Sequence, residues 1–252
     1  MATLIAALDC GTSTMKAGLI DLSGKLCGYA KASVSMILST QGQVEICPAL
    51  LKKLAFDTFK EAVQKSGCRA KDVAGICVTG QRASFLTLDE ANVPVGNVIS
   101  WQDGRGVVET GLLRDRFGSE KFRVLTGLPL NPVFTLGKLM WLLKNEPARV
   151  SQTRKVATVP DFLLRELGDE ELVTDHANAS LTGMFDINRR VWSEPVLQAA
   201  DISIALLPKP VVPGSHVGSL CSRVAEEVGL LPGTPLIVGA GDHQCAGIGT
   251  GA

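Results

Sequence analysis

The chain has 252 residues, 46% of them hydrophobic, and carries 25 Lys plus Arg against 25 Asp plus Glu. This length and apolar content suit a globular domain with a full core and exclude a disordered chain. Balanced charge gives no global field to draw in nucleic acid or an anionic membrane, so the expected partner is a small molecule or another protein.

The opening apolar run, Ala2 to Leu8, is short, lacks a basic flank and meets Asp9 at once. It reads as a buried strand and not as a signal peptide. Residues 4–8, 15–21 and 26–34 are predicted as three strands turned at Gly11-Thr12-Ser13 and Ser23-Gly24. Residues 48–65 place Leu51, Leu54, Ala55, Phe59, Ala62 and Val63 at helical spacing, ending before Gly67. Strands are predicted at 73–78, 84–88 and 95–99, the last leading into Trp101. From Gly104 the pattern turns helical, with 136–143 the clearest helix and Pro147 beyond its end. A strand at 155–159, helices at 161–167 and 222–228, and a buried strand at 234–238 follow, and Asp242 opens a final helix.

A strand meander followed by strand–helix alternation predicts an α/β fold with a mixed sheet flanked by helices. One large domain is expected, with a helical insertion around 104–200. Seven cysteines without a C-x-x-C pair fit reduced thiols and a cytoplasmic location, not a disulfide framework or zinc site. No apolar stretch approaches the ~20 residues of a membrane span.

Three constellations can carry chemistry. In the first, a strand delivers Asp9 to its end, and Gly11, Thr12 and Ser13 turn the chain back toward Lys16. Such a turn can aim N–H groups and hydroxyls at phosphate, with Lys16 adding charge and Asp9 holding Mg²⁺. The G-x-x-x-x-G-K-[ST] spacing is absent, so it is no Walker loop, and a plain hairpin explains the residues equally well locally. In the second, Gly239-Ala240-Gly241 ends a buried strand, and Asp242 stands where a helix begins. A carboxylate there is suited to accept a proton from a substrate hydroxyl, although a simple helix cap is the commoner use. The third joins Gln81-Arg82 with Trp101-Gln102-Asp103-Gly104-Arg105, offering forked donors, an amide and an indole to a hydroxyl-rich ligand. Taken alone, Trp101 is expected to face the core. His176 and His243 lack metal-ligand spacing and read as a polar pocket residue and a helix-start residue. The sequon Asn178-Ala179-Ser180 reads as a chance match, and Gly247 to Gly251 as a weak glycine pattern.

In this order the motifs resemble the FGGY carbohydrate kinase family. Asp9 through Lys16 match D-x-G-T-[ST]-x-x-[KR]; Val44-Glu45 and Pro48 are similar to V-E-x-D-P, with Cys47 in place of the acid. Gln81-Arg82, Trp101 to Arg105, Thr174 to Ser180 and Gly239 to Asp242 resemble further family elements. The resemblance covers nearly the whole chain. It implies a ribonuclease H-like domain of the actin and hexokinase type, acting with ATP and Mg²⁺ on a small sugar or polyol. It implies Asp242 as catalytic base and Asp9 as the metal-organising residue, with Gly11, Thr12, Ser13 and Lys16 near the transferred phosphate. Gln81, Arg82, Trp101 and Asp103 would face the sugar. It places Ala252 where the family's second domain begins, so the C-terminal ATP-binding domain is expected to be absent and to act as partner; a homodimer stays open.

Glycerol kinases carry Glu where this chain has Ala83, and Tyr where it has Val133, which argues against glycerol. Xylulokinases carry Met-His or a similar pair in place of Gln81-Arg82, while the Trp101 to Arg105 string is similar to some sedoheptulokinases. Two other readings stay open: a stand-alone sugar-binding or regulatory module, and an actin-like assembly protein.

Overall fold

Tight turns force the opening meander. β1 (Leu4–Cys10), β2 (Thr14–Asp21) and β3 (Leu26–Ser33) pair antiparallel in succession. Leu4, Ala6, Leu8 and Cys10 are buried in alternation, so a period of two sets one face of β1 on the core. The computed structural model describes residues 3–168 and 171–251, leaving Ala2 of the opening run outside the described residues. β4 (Ile37–Leu38) and β5 (Val44–Ile46) are too short to show any period in the sequence. α1 (Pro48–Ser66) starts on a proline and ends at Gly67 in the left-handed conformation, as its sequence predicts. Cys47 stands at its N-cap and its side chain caps nothing, so the acid of the family motif has lost its local function here.

β6 (Val73–Gly80), β7 (Phe85–Leu88) and β8 (Val98–Ile99) come next. The predicted strand at 95–99 shrinks to two residues because Gly96 takes a positive φ of 81° and breaks it. Four helices follow: α2 (Val107–Phe117), α3 (Ser119–Thr126), α4 (Thr135–Asn145) and α5 (Pro147–Gln152). β9 (Lys155–Thr158), α6 (Val159–Gly168), β10 (Val173–Asp175) and α7 (His176–Leu181) come before a small ribbon, β11 (Phe185–Asp186) with β12 (Val191–Trp192). α8 (Glu194–Ala199), β13 (Lys209–Val211), β14 (His216–Ser219), α9 (Ser222–Val228), β15 (Pro235–Gly241) and α10 (Asp242–Thr250) complete the order. The glycine pattern at 247–251 lies almost wholly inside α10 and forms no loop.

The main sheet has the order β14-β15-β6-β1-β2-β3, with β15, β6 and β1 mutually parallel at its centre. A second sheet runs β4-β5-β8-β7-β9. One core unites β1, β2 and β6 with α1, α6 and α9 through Leu8, Phe59, Ile76, Phe162 and Val224. Another gathers Phe85, Phe122, Leu139, Phe185 and Trp192 under the helical region. That region is not continuous, because α6 returns to the first core through Phe162, Leu163 and Leu167. No helix among the described residues is long and apolar enough to cross a membrane, and all seven cysteines are unbonded.

The parallel strands touch closely. A Cβ on Gly239 would stand 2.2 Å from the Val78 carbonyl oxygen on the neighbouring strand. Gly239→Ala should therefore prise β15 from β6 and cost about 1–3 kcal/mol. Urea unfolding checks this as a lower midpoint at an unchanged slope.

Candidate functional site

Register assembles the site. It sets Cys10 beside Gly80, and Gly80 beside Gly241. The carboxyl ends of β1, β6 and β15 thus bring Asp9, Gln81-Arg82 and Asp242 to one edge, where open α/β sheets bind ligands. Thr79 Oγ1 donates to the Ala240 carbonyl at 2.6 Å and Gln81 N to that of Cys10 at 2.8 Å, stitching the three ends together.

Lys16 faces Asp9 across the β1–β2 pair, and its ammonium meets Asp9 Oδ2 at 2.8 Å. That hydrogen bond raises the Lys16 pKa above its ordinary value. The other oxygen, Asp9 Oδ1, is buried with no hydrogen-bond partner. An orphaned carboxylate oxygen beside the Gly11-Thr12-Ser13 turn fits a hard cation or its bound water. Among the described residues no three His, Cys, Asp or Glu gather as a full metal site, so Asp9 could supply only part of such a shell.

Asp242 opens α10, and its Oδ1 accepts the His243 backbone N–H at 2.8 Å. Arg82 Nε lies 4.0 Å from the same oxygen and makes no hydrogen bond, while Arg82 Nη1 is anchored on the Ala177 carbonyl. A hydroxyl in the cavity could donate to this carboxylate, while the buried Nε keeps positive charge close to it.

Arg82 and Asp242 open on a cavity of about 410 Å³, whose lining includes Thr12 but not Asp9, Gly11, Ser13 or Lys16. Thr12, Gln81, Arg82, Asp242 and His243 give it polar lining. Ala83, Trp101, Val133, Phe134 and Leu181 give it apolar lining. Trp101 does not join the core as its type suggests: it is 36% exposed, and its indole N–H donates to Thr12 Oγ1 at 2.9 Å. Ser84 Oγ holds its backbone N–H at 2.9 Å and turns the ring toward the cavity.

Asp103, expected at the sugar, lies elsewhere. Its carboxylate is fully buried, accepts Val44 N at 2.7 Å and binds Arg105 Nε at 2.8 Å. It is absent from the cavity lining. His176 likewise packs on the Phe185 ring, 5.5 Å between centroids, and stays outside the lining. Asn178 is buried and bonded to Asp175, which leaves the sequon inaccessible. Ala83, marked in the sequence only as a departure from the glycerol kinase pattern, has a φ of 62°, which is rare for a residue with a Cβ and marks a strained turn in the cavity wall.

Sequence reasoning passed over Lys138, which is 0% exposed. Lys138 Nζ donates to the carbonyls of Val133 at 2.5 Å and Trp101 at 3.3 Å, tying two wall loops together. Burial lowers its pKa from 10.5 to about 7, partly countered by Asp103 and reinforced by Arg105. Between those values the unfolded chain holds more protons than the folded one. The stability this group contributes therefore rises with pH across that window and is flat below it. Lys138→Met removes the titration at similar volume. Wild-type stability should gain on the variant by roughly 1 kcal/mol per pH unit from about pH 7 to 10, read by urea unfolding at each pH.

The mixed sheet flanked by helices, with a ligand-sized cavity at the carboxyl ends of its parallel strands, is that of a ribonuclease H-like domain. Residues 4–249 match the N-terminal domain of the FGGY family of carbohydrate kinases, and the chain belongs to that family. The glycerol kinase of Methylibium petroleiphilum is 34% identical over 250 residues, covering 97% of this chain and 49% of that protein. The xylulose kinase of Bacillus subtilis is 30% identical over 252 residues, covering 98% and 49%. The chain spans about half the length of the curated relatives it matches. Ligand-bound xylulose kinase from Lactobacillus acidophilus superposes with a TM-score of 0.91 at 25% identity, over 99% of this chain and 50% of that one. The family and fold implied by the sequence motifs are thus shown.

Proposed function

We propose that this chain is the substrate-binding half of an ATP-dependent carbohydrate kinase in which Asp242 accepts the proton of the acceptor hydroxyl. The observation that carries this reading is the Asp242–Arg82 pair, held 4.0 Å apart at the cavity with the Arg82 Nε unbonded. A hydroxyl bound in the cavity reaches Asp242 beside the Arg82 charge, and its proton lies against a carboxylate as its oxygen becomes nucleophilic. Relatives named for glycerol and xylulose support a sugar or polyol as acceptor. Gln81, Arg82 and Trp101 hold it, and Asp103 is assigned to the frame behind them.

Gly11, Thr12 and Ser13, at the turn beyond β1, and Lys16, on β2, are assigned to the phosphate being transferred. Asp9, with its unbonded Oδ1, is assigned to Mg²⁺. When bound, that ion neutralises charge on the transferred phosphate, which is most of what phosphoryl transfer requires beyond positioning. ATP itself is assigned mainly to a second, C-terminal domain. The test uses the full-length protein with ATP, Mg²⁺ and a panel of pentuloses, heptuloses and pentitols. ADP release dependent on one of these acceptors is expected; acceptors that bind without ADP release would overturn the reading.

A further inference from the structure

Part of the cavity wall is hydrocarbon, and several of its carbonyls already accept a hydrogen bond. Ala83, Val133, Phe134 and Leu181 present hydrocarbon. The carbonyl of Ala83 accepts from Thr135 Oγ1 at 3.2 Å, and those of Val133 and Trp101 accept from Lys138 Nζ. Thr135 is 1% exposed and Lys138 0%, so both donors sit behind the wall and engage its acceptors from the interior side. The structure also unites two sequence departures, since Ala83 and Val133 are fifty residues apart yet line the same cavity.

We propose that this wall selects an acceptor that is poor in hydroxyls away from its reacting end, a terminally deoxygenated sugar or polyol in preference to its fully hydroxylated counterpart. The inference rests on the kinase reading for the meaning of "reacting end". A hydroxyl pressed against Val133, Phe134 and Leu181 gives up its water and meets no side-chain partner, and nearby carbonyls are already engaged. A methyl group at the same place loses nothing and gains contact. An apolar pocket discriminates only modestly against an added hydroxyl, so the preference should be about tenfold. Ala83 contributes only a methyl group to the wall.

The test compares matched pairs in the full-length protein: D-xylulose with 1-deoxy-D-xylulose, and L-fructose with 6-deoxy-L-fructose. Dissociation constants are measured by calorimetry without nucleotide, and kcat/KM with ATP. The deoxy member of at least one pair should bind about tenfold more tightly than its partner. Val133→Thr adds a hydroxyl to this half-buried position at nearly constant shape, and should bring that ratio close to one. A wild-type ratio of one or less in both pairs, including no binding by either member, overturns the inference. So does a preference that Val133→Thr leaves unchanged. The two readings fail separately. A binding preference intact without phosphoryl transfer would remove the kinase assignment alone; turnover with the hydroxylated member preferred would remove this one alone.

Discussion

Asp242→Asn in the full-length protein should lower kcat by about a thousandfold and leave the KM for the acceptor within about threefold. Asn has the shape of Asp, and its oxygen can still take the His243 N–H that Asp242 Oδ1 accepts at 2.8 Å. It can still receive a hydrogen bond from a bound hydroxyl. What it cannot do is keep the proton, so the loss falls on the chemical step and not on binding. The Asp242 side chain is 37% exposed, so no buried charge is created or removed and the melting temperature should hold. That combination separates a base from a structural cap. A variant that unfolds early, or one that loses affinity with kcat preserved, would assign Asp242 to the scaffold. Steady-state ADP release with thermal unfolding on the same samples distinguishes these outcomes.

The sequence reveals Asp9 and Asp242 because each is placed by a local event, a strand that ends and a turn or helix that begins. Lys16 is readable for the same reason, since a tight β1–β2 turn leaves it opposite Asp9. Trp101 is not, because its orientation depends on Thr12, 89 positions earlier, and on Ser84. Asp103 misleads in the reverse sense. Its place at a strand end suggests a ligand, yet the group that claims it, Val44 N, lies 59 residues away. Lys138 left a trace that went unused: Thr135, Lys138, Leu139 and Leu142 share the buried face of α4, and a charge on such a face has a task. For α6 the helical period was visible, but periodicity cannot say which of two cores an apolar face will join. The two-residue strands of the second sheet are products of tertiary pairing and have no local signal.

The second large effect is expected at Arg105, a residue absent from the cavity lining. Its side chain is 3% exposed and meets Asp103 at 2.8 Å, Glu45 at 2.6 Å and Glu146 at 3.4 Å, with the Trp141 ring 5.1 Å away. Burial works against this cation, but hydrogen bonds to Asp103 and Glu45 outweigh it and raise its pKa. Arg105→Met should cost about 3–5 kcal/mol, because it leaves the fully buried Asp103 carboxylate without its countercharge. For a domain of this size that lowers the melting temperature by roughly 10 °C. The site should suffer as well. Asp103 fixes β5 through Val44 N, and the same loop carries Trp101, so acceptor affinity falls together with stability. Asp103→Asn combined with Arg105→Met removes the charge along with its partner. The double variant should therefore lose about 1–3 kcal/mol less than the two single losses added together. A double variant whose losses simply add would show that Arg105 acts through packing on Trp141, and that the charge of Asp103 is balanced by other groups.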